Sequence, residues 1–307
     1  MNSKRNQDSA ITGTSRRITA AMAVMCAAGM LVACAHSGTP GRSRVSDVAQ
    51  PTPKRIVPGP RNLIAVAEPQ PNGMMWILAG RSSTGLFRID SASGQVAGSA
   101  SVSKAARSVA ESASGIIGLA LGTSRSGALE LRSGRTAKLI RTVNLPAPAR
   151  QVVAGSDGTT FYVLTAWATS ASVTVVNSRT GRKHNSIAVP ADTVSIVPDA
   201  GQAVLYALQE NGLVDEFDIA SGNFKSDFTV GGEGRSLALT PDGSTLYVLK
   251  GTSHVANIAV VNVSTQSVRS VRPAPSHCLE LLVSPSGNQL YEVVGTPGYG
   301  NIQVFAL

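Results

Sequence analysis

The stretch "ALTPDGSTLYVLKG" at 238–251 has a near copy in "LVSPSGNQLYEVVG" at 282–295. Each is an apolar run, a turn carrying Pro and Gly, and a second apolar run opened by Leu-Tyr. Glycine is the residue that enters the left-handed region without steric cost, and proline presets the turn before it. Working outward, similar turns recur at Gly73, Gly115, Gly158, Gly201, Gly243 and Gly287, with gaps of 42, 43, 43, 42 and 44 residues. A bulky residue follows each: Trp76, Leu119, Tyr162, Tyr206, Tyr247 and Tyr291. Further β-rich runs complete each copy, among them "VTVVN" and "IAVVNV".

A period near 43 with about four short strands per copy marks a β-propeller blade. Solenoids of leucine-rich or hexapeptide type have shorter repeats. Helical repeats need a 3.6-residue apolar period, which is missing here. The expected fold is therefore all-β: a single β-propeller of six four-stranded blades over 54–307. Copy six ends at "NIQVFAL" with no outer strand, whereas "RIV" at 55–57 precedes copy one unused. That N-terminal strand is expected to complete the last blade and close the ring.

The quoted repeat, continued into "IAVVNVSTQSV", resembles the YVTN-type β-propeller repeat. The resemblance extends weakly over all six copies, and copies one and two depart most, with Trp76-Ile77 and Gly118-Leu119 where Leu-Tyr-Val is usual. It implies fold more than function. Its relatives include surface-layer proteins, lactonase-like enzymes, the haem domain of a nitrite reductase, and nucleic-acid-binding or partner-binding propellers.

The N-terminal segment reads as an address. Lys4, Arg5, Arg16 and Arg17 precede an apolar run, 18–30, too short to span a bilayer stably, and "LVAC" follows, ending at Cys34. This resembles a bacterial lipoprotein signal. Residues 1–33 would be removed, Cys34 acylated, and 34–53, rich in Ser, Gly and Pro, would serve as a tether. The expected location is the extracytoplasmic side of a cell membrane, with the lipid bilayer as partner through Cys34. Cys26 leaves with the signal, so Cys278 remains without a disulfide partner and is expected to be a small buried hydrophobe.

The chain carries a formal charge of +9. In a propeller, the loops entering the innermost strands and those joining second to third strands share one face around the channel mouth. Eight positions before the marker glycine lie Arg107, Arg150 and Arg235. Arg61 reaches the same position after allowance for an insertion, "EPQP"; copy four has Thr193, and copy six Leu279 with His277 nearby. These arginines either brace neighbouring blades or await an anion, since a guanidinium fork matches carboxylate and phosphate. Trp167 and His254 lie on other loops of that face, and His184 on a turn of the opposite face.

No G-x-S-x-G, H-E-x-x-H, C-x-x-C-H or P-loop motif occurs, and no cofactor or metal is expected. The reading favours a monomeric binding or scaffold module for an anionic small molecule, a glycan or an envelope protein. Nucleic acid is disfavoured by the extracytoplasmic address. The alternative is a lactonase-like hydrolase in the same pocket, for which His277 and Glu280 are the candidates to activate water.

Overall fold

The computed structural model describes residues 51–307. Cys34, the signal and most of the tether lie outside the described residues. The remainder forms six four-stranded antiparallel sheets, with no helix among the described residues. Five blades take their strands in chain order from inside to outside: blade one over 63–102, two over 106–145, three over 149–189, four over 193–229 and five over 234–273. Blade six supplies Cys278–Val283, Gln289–Thr296 and Tyr299–Ala306, and its outer strand is Arg55–Pro58 from the other end of the chain. The pairing is antiparallel, with Val57 opposite Ile302 and Arg55 opposite Val304. The ring is thus closed by backbone hydrogen bonds, as the unused strand predicts.

The core lies between blades. Alternate residues of each second and third strand face the next blade, so Leu129, Leu131 and Val143 of blade two pack on Val152, Phe161 and Val163 of blade three. The same pattern buries Tyr206, Leu208 and Val214 of blade four against Leu237, Leu246 and Val248 of blade five. A fully buried side chain of this kind contributes roughly 1.5–3 kcal/mol. A brace joins blades five and six at the rim: Arg272 pairs with the fully buried Glu292 and lies 4.9 Å from the Phe305 ring centroid.

The structure corrects two of the marker positions of the repeat. In five blades the turn glycine is left-handed, with φ between 66° and 77°, but in blade four that position belongs to Gln202 at φ 53°, one residue past Gly201. Gln202 donates its N–H to Asp199 O, the bond its counterpart glycines make. In blade two, the slot of the repeated tyrosine holds Gly118, opposite Ala110, rather than Leu119. A side chain there would start only 3.1 Å from the Phe161 ring, so glycine is what admits that ring from blade three.

Candidate functional site: the arginine mouth and the channel

Each innermost strand begins with the same irregularity. Its second residue is skipped in the pairing with the neighbouring strand, at Ile64, Arg107, Arg150, Val194, Arg235 and Leu279. A bulge re-aims its side chain, and these six residues line one mouth of the central channel, enclosing about 130 Å³. The ring is therefore three arginines, on blades two, three and five, and three aliphatics, on blades one, four and six.

Two positions differ from the sequence reading. Arg61 is off the ring, beside Pro60 in a shallow depression of blade one, and Ile64 holds the ring position. Blade one carries one extra residue between this position and its turn glycine, not four. Thr193 lies one place short: it is fully buried with its Oγ1 unpartnered, and Val194 faces the mouth.

Arg107 and Arg150 are exposed and Arg235 is half-buried. Among the described residues only two ion pairs occur, Arg132 with Glu130 and Arg272 with Glu292, and neither involves the ring. The ring guanidiniums make only long bonds to carbonyls, Arg107 to Lys104 O at 3.4 Å and Arg235 to Thr252 O at 3.3 Å. The residues that brace the blades lie one step deeper. Ser108 Oγ accepts the Val152 N–H at 3.2 Å, Gln151 Oε1 that of Ile196 at 2.7 Å, and Ser195 Oγ that of Leu237 at 3.1 Å. Ser236 Oγ accepts from Leu281 at 3.1 Å, and Glu280 Oε2 from Val66 at 3.2 Å. Five of the six junctions are tied this way; at the sixth, Ala65 has no acceptor to offer Val109.

Beyond this belt the channel narrows to a cavity of about 60 Å³ and then opens to about 290 Å³ at the far end. Glu68 and Glu111 stand there at the same register on adjacent blades, with Asp199 at the outer rim. Burial pushes the carboxyls of Glu68, Glu111 and Glu280 up to about 7. Glu68 is exposed where the channel widens whereas Glu280 is half-buried, so burial acts less strongly on Glu68. The channel is electrically polar, cationic at one mouth and carboxylate-lined toward the other. Glu68 and Glu111 were missed in the sequence, although the repeat register places each four residues past the ring position of its blade, Ile64 and Arg107.

The other candidates are spread around the rim. Trp167, 38% exposed, sits on the loop between the second and third strands of blade three, on the arginine face. His254 and His277 come together, rings edge to face at 5.1 Å, with His254 Nδ1 3.1 Å from Ser253 Oγ. His277 has φ 61° and donates its backbone N–H to Ser253 O. It is not among the residues lining the mouth, whereas Glu280 is. Among the described residues no group of three or more His, Cys, Asp or Glu is arranged to hold a metal ion. Cys278 is free and buried, and burial pushes its thiol up to about 12.

No protein-family profile and no curated protein matches the sequence. Among solved structures the chain is similar to hydrazine synthase of Kuenenia stuttgartiensis, with a TM-score of 0.65, 14% identity, and 80% of this chain and 83% of that one covered. Likeness at that identity concerns fold alone. With the six closed sheets it defines the class: a six-bladed β-propeller.

Proposed function

We propose that this protein is a lipid-anchored, extracytoplasmic β-propeller that binds a compact anion, or the anionic group of a larger partner, at the arginine mouth. The observation that carries this reading is three guanidinium groups converging on one mouth without a carboxylate in ion-pair reach. Like charges about 10 Å apart repel by ~0.4 kcal/mol per pair even in water, and by more at lower effective dielectric. An anion held between Arg107, Arg150 and Arg235 relieves that repulsion and gains charge-assisted hydrogen bonds. Ile64, Val194 and Leu279 favour a ligand whose charge is flanked by an apolar portion. The space of about 130 Å³ suits a phosphate or carboxylate group entering end-on rather than a whole sugar chain. The anchor rests on the "LVAC" motif ending at Cys34.

The test is thermal unfolding across a panel of phosphate, citrate and chloride at matched ionic strength. A ligand at about 100 times its Kd adds roughly 2.7 kcal/mol, which moves Tm by several degrees. Arg107→Glu with Arg150→Glu removes that shift, and Arg61→Glu keeps it. A flat response across the panel overturns the reading. Incorporation of a fatty-acid analogue, lost in Cys34→Ala, tests the anchor separately.

A further inference from the structure

We propose that the outer flank of blades two and three is a docking surface for an anionic phospholipid bilayer. Six basic side chains are exposed there: Arg135, Lys138 and Arg141 on blade two, and Arg179, Arg182 and Lys183 on blade three. They form one continuous patch. Arg141 packs over the turn of blade three so closely that a side chain on Gly181 would meet its Cδ at 2.5 Å, and Lys183 Nζ donates across to Asn144 O at 3.3 Å. Neither contributing segment, 133–145 or 178–191, contains an acidic residue. Among the described residues none of the six is ion-paired.

Within the patch stand Leu139 and Ile140, exposed at 45% and 52% on the outer strand of blade two. Cations around an exposed aliphatic pair match the boundary between anionic headgroups and acyl chains. Each Lys or Arg gains from the surface potential while the aliphatics enter the interface. A soluble polyanion would satisfy the charges and leave Leu139 and Ile140 in water, so the bilayer fits both halves of the patch.

Topology agrees. The basic turns join third to fourth strands, at the ends of the blades opposite the arginine mouth. The closing strand Arg55–Pro58 also begins at that end of blade six. A propeller resting on this flank keeps the arginine mouth turned away from the lipid. The surface is independent of whether that mouth binds an anion, and it takes from the anchor reading only that a bilayer is near.

The test is co-sedimentation of the full chain carrying Cys34→Ala with phosphatidylcholine vesicles, with and without 30% phosphatidylglycerol by composition (about the content that gives a strong negative surface potential). The N-terminal segment is the same in every arm, so it cancels when variants are compared with the unaltered patch. Reversal of Lys138, Arg141 and Arg182 to Glu is expected to lower binding to anionic vesicles at least about tenfold. Leu139→Ser with Ile140→Ser is expected to lower it several-fold while leaving heparin binding unchanged. Reversal of Arg107 and Arg150 leaves it intact. Equal vesicle binding by the wild-type and charge-reversed patch, or by the wild-type and Ser pair, overturns the proposal. These outcomes are separate from the anion panel, which reports only on the mouth. Circular dichroism melts confirm that each variant is folded.

Discussion

Glu280 Oε2 accepts the backbone N–H of Val66 at 3.2 Å, tying the innermost strand of blade six to that of blade one. Serine or glutamine does the same work at four other junctions. A carboxylate here is a stronger acceptor but brings a charge into the channel, near Glu68, and burial raises its pKa to about 7. In the unfolded chain it titrates near 4.5. Protons are therefore held more tightly by the folded state, so this stabilisation is complete below about 4.5 and is lost as pH rises through 7. Glu111 acts in the same direction. The capped turn carboxylates, Asp157 and Asp242, have lowered pKa values and act in the opposite sense only below the ordinary aspartate range. We expect Tm to be higher at pH 5 than at pH 8, and Glu280→Gln to narrow the gap by raising Tm at pH 8. A Glu280→Gln variant less stable than wild type at pH 8 would contradict this.

The sixth junction lacks its bond because Ala65 occupies the place of Ser108, Ser195 and Ser236. Ala65→Ser should supply the missing acceptor to Val109 N–H. The expected gain is about 1 kcal/mol, the usual net value of a buried hydrogen bond. Urea unfolding at constant m-value measures it, and a lower midpoint would show that the hydroxyl is buried without reaching the amide.

Cys278 packs with Ala256, Ile258 and Leu281 between blades five and six, fully buried, and its thiol is held well above its ordinary range by burial. Native protein should react with a thiol-specific disulfide reagent at pH 8 only at the rate of global unfolding. Labelling within seconds of mixing, in the absence of denaturant, would place the sulfur at the surface instead.

Most of the fold was legible because it is imposed by turn chemistry repeated six times, and by a strand left over at the N-terminal end of the repeat array that matches the one missing at its C-terminal end. What slipped did so where a different residue met the same physical demand. Gln202 enters the left-handed region in place of glycine, so counting from Gly201 lands on Thr193 rather than Val194. Gly118 takes a tyrosine slot because Phe161 fills the space from the next blade. An insertion counted as four residues is one, which carried the count to Arg61 instead of Ile64. The bulge that aims Arg107, Arg150 and Arg235 has no signature in one copy of the repeat. The belt of side-chain acceptors one step deeper is equally hidden, since serine in a strand reads as ordinary polarity. Only superposing the six copies makes either pattern visible.

Closure of the ring depends on the four residues Arg55–Pro58, held by pairing with the third strand of blade six. Val57 is the anchor: it is 1% exposed and packs with Val66, Met75, Ile77 and Ile302, so it touches both the last blade and the first. Truncating it removes two methyl groups and leaves a cavity at the seam, at a cost of roughly 2 kcal/mol. The neighbouring Ile56 points outward at 53% exposure, and Ile56→Ala should cost under about 0.5 kcal/mol. Hydrogen exchange should separate the two further. Val57→Ala is expected to speed exchange at the seam, in Tyr299–Ala306 and Leu63–Val66, before the opposite blades three and four respond. Uniform acceleration across all six blades would mean that the ring opens only by global unfolding, and that closure by this strand contributes no weak point of its own.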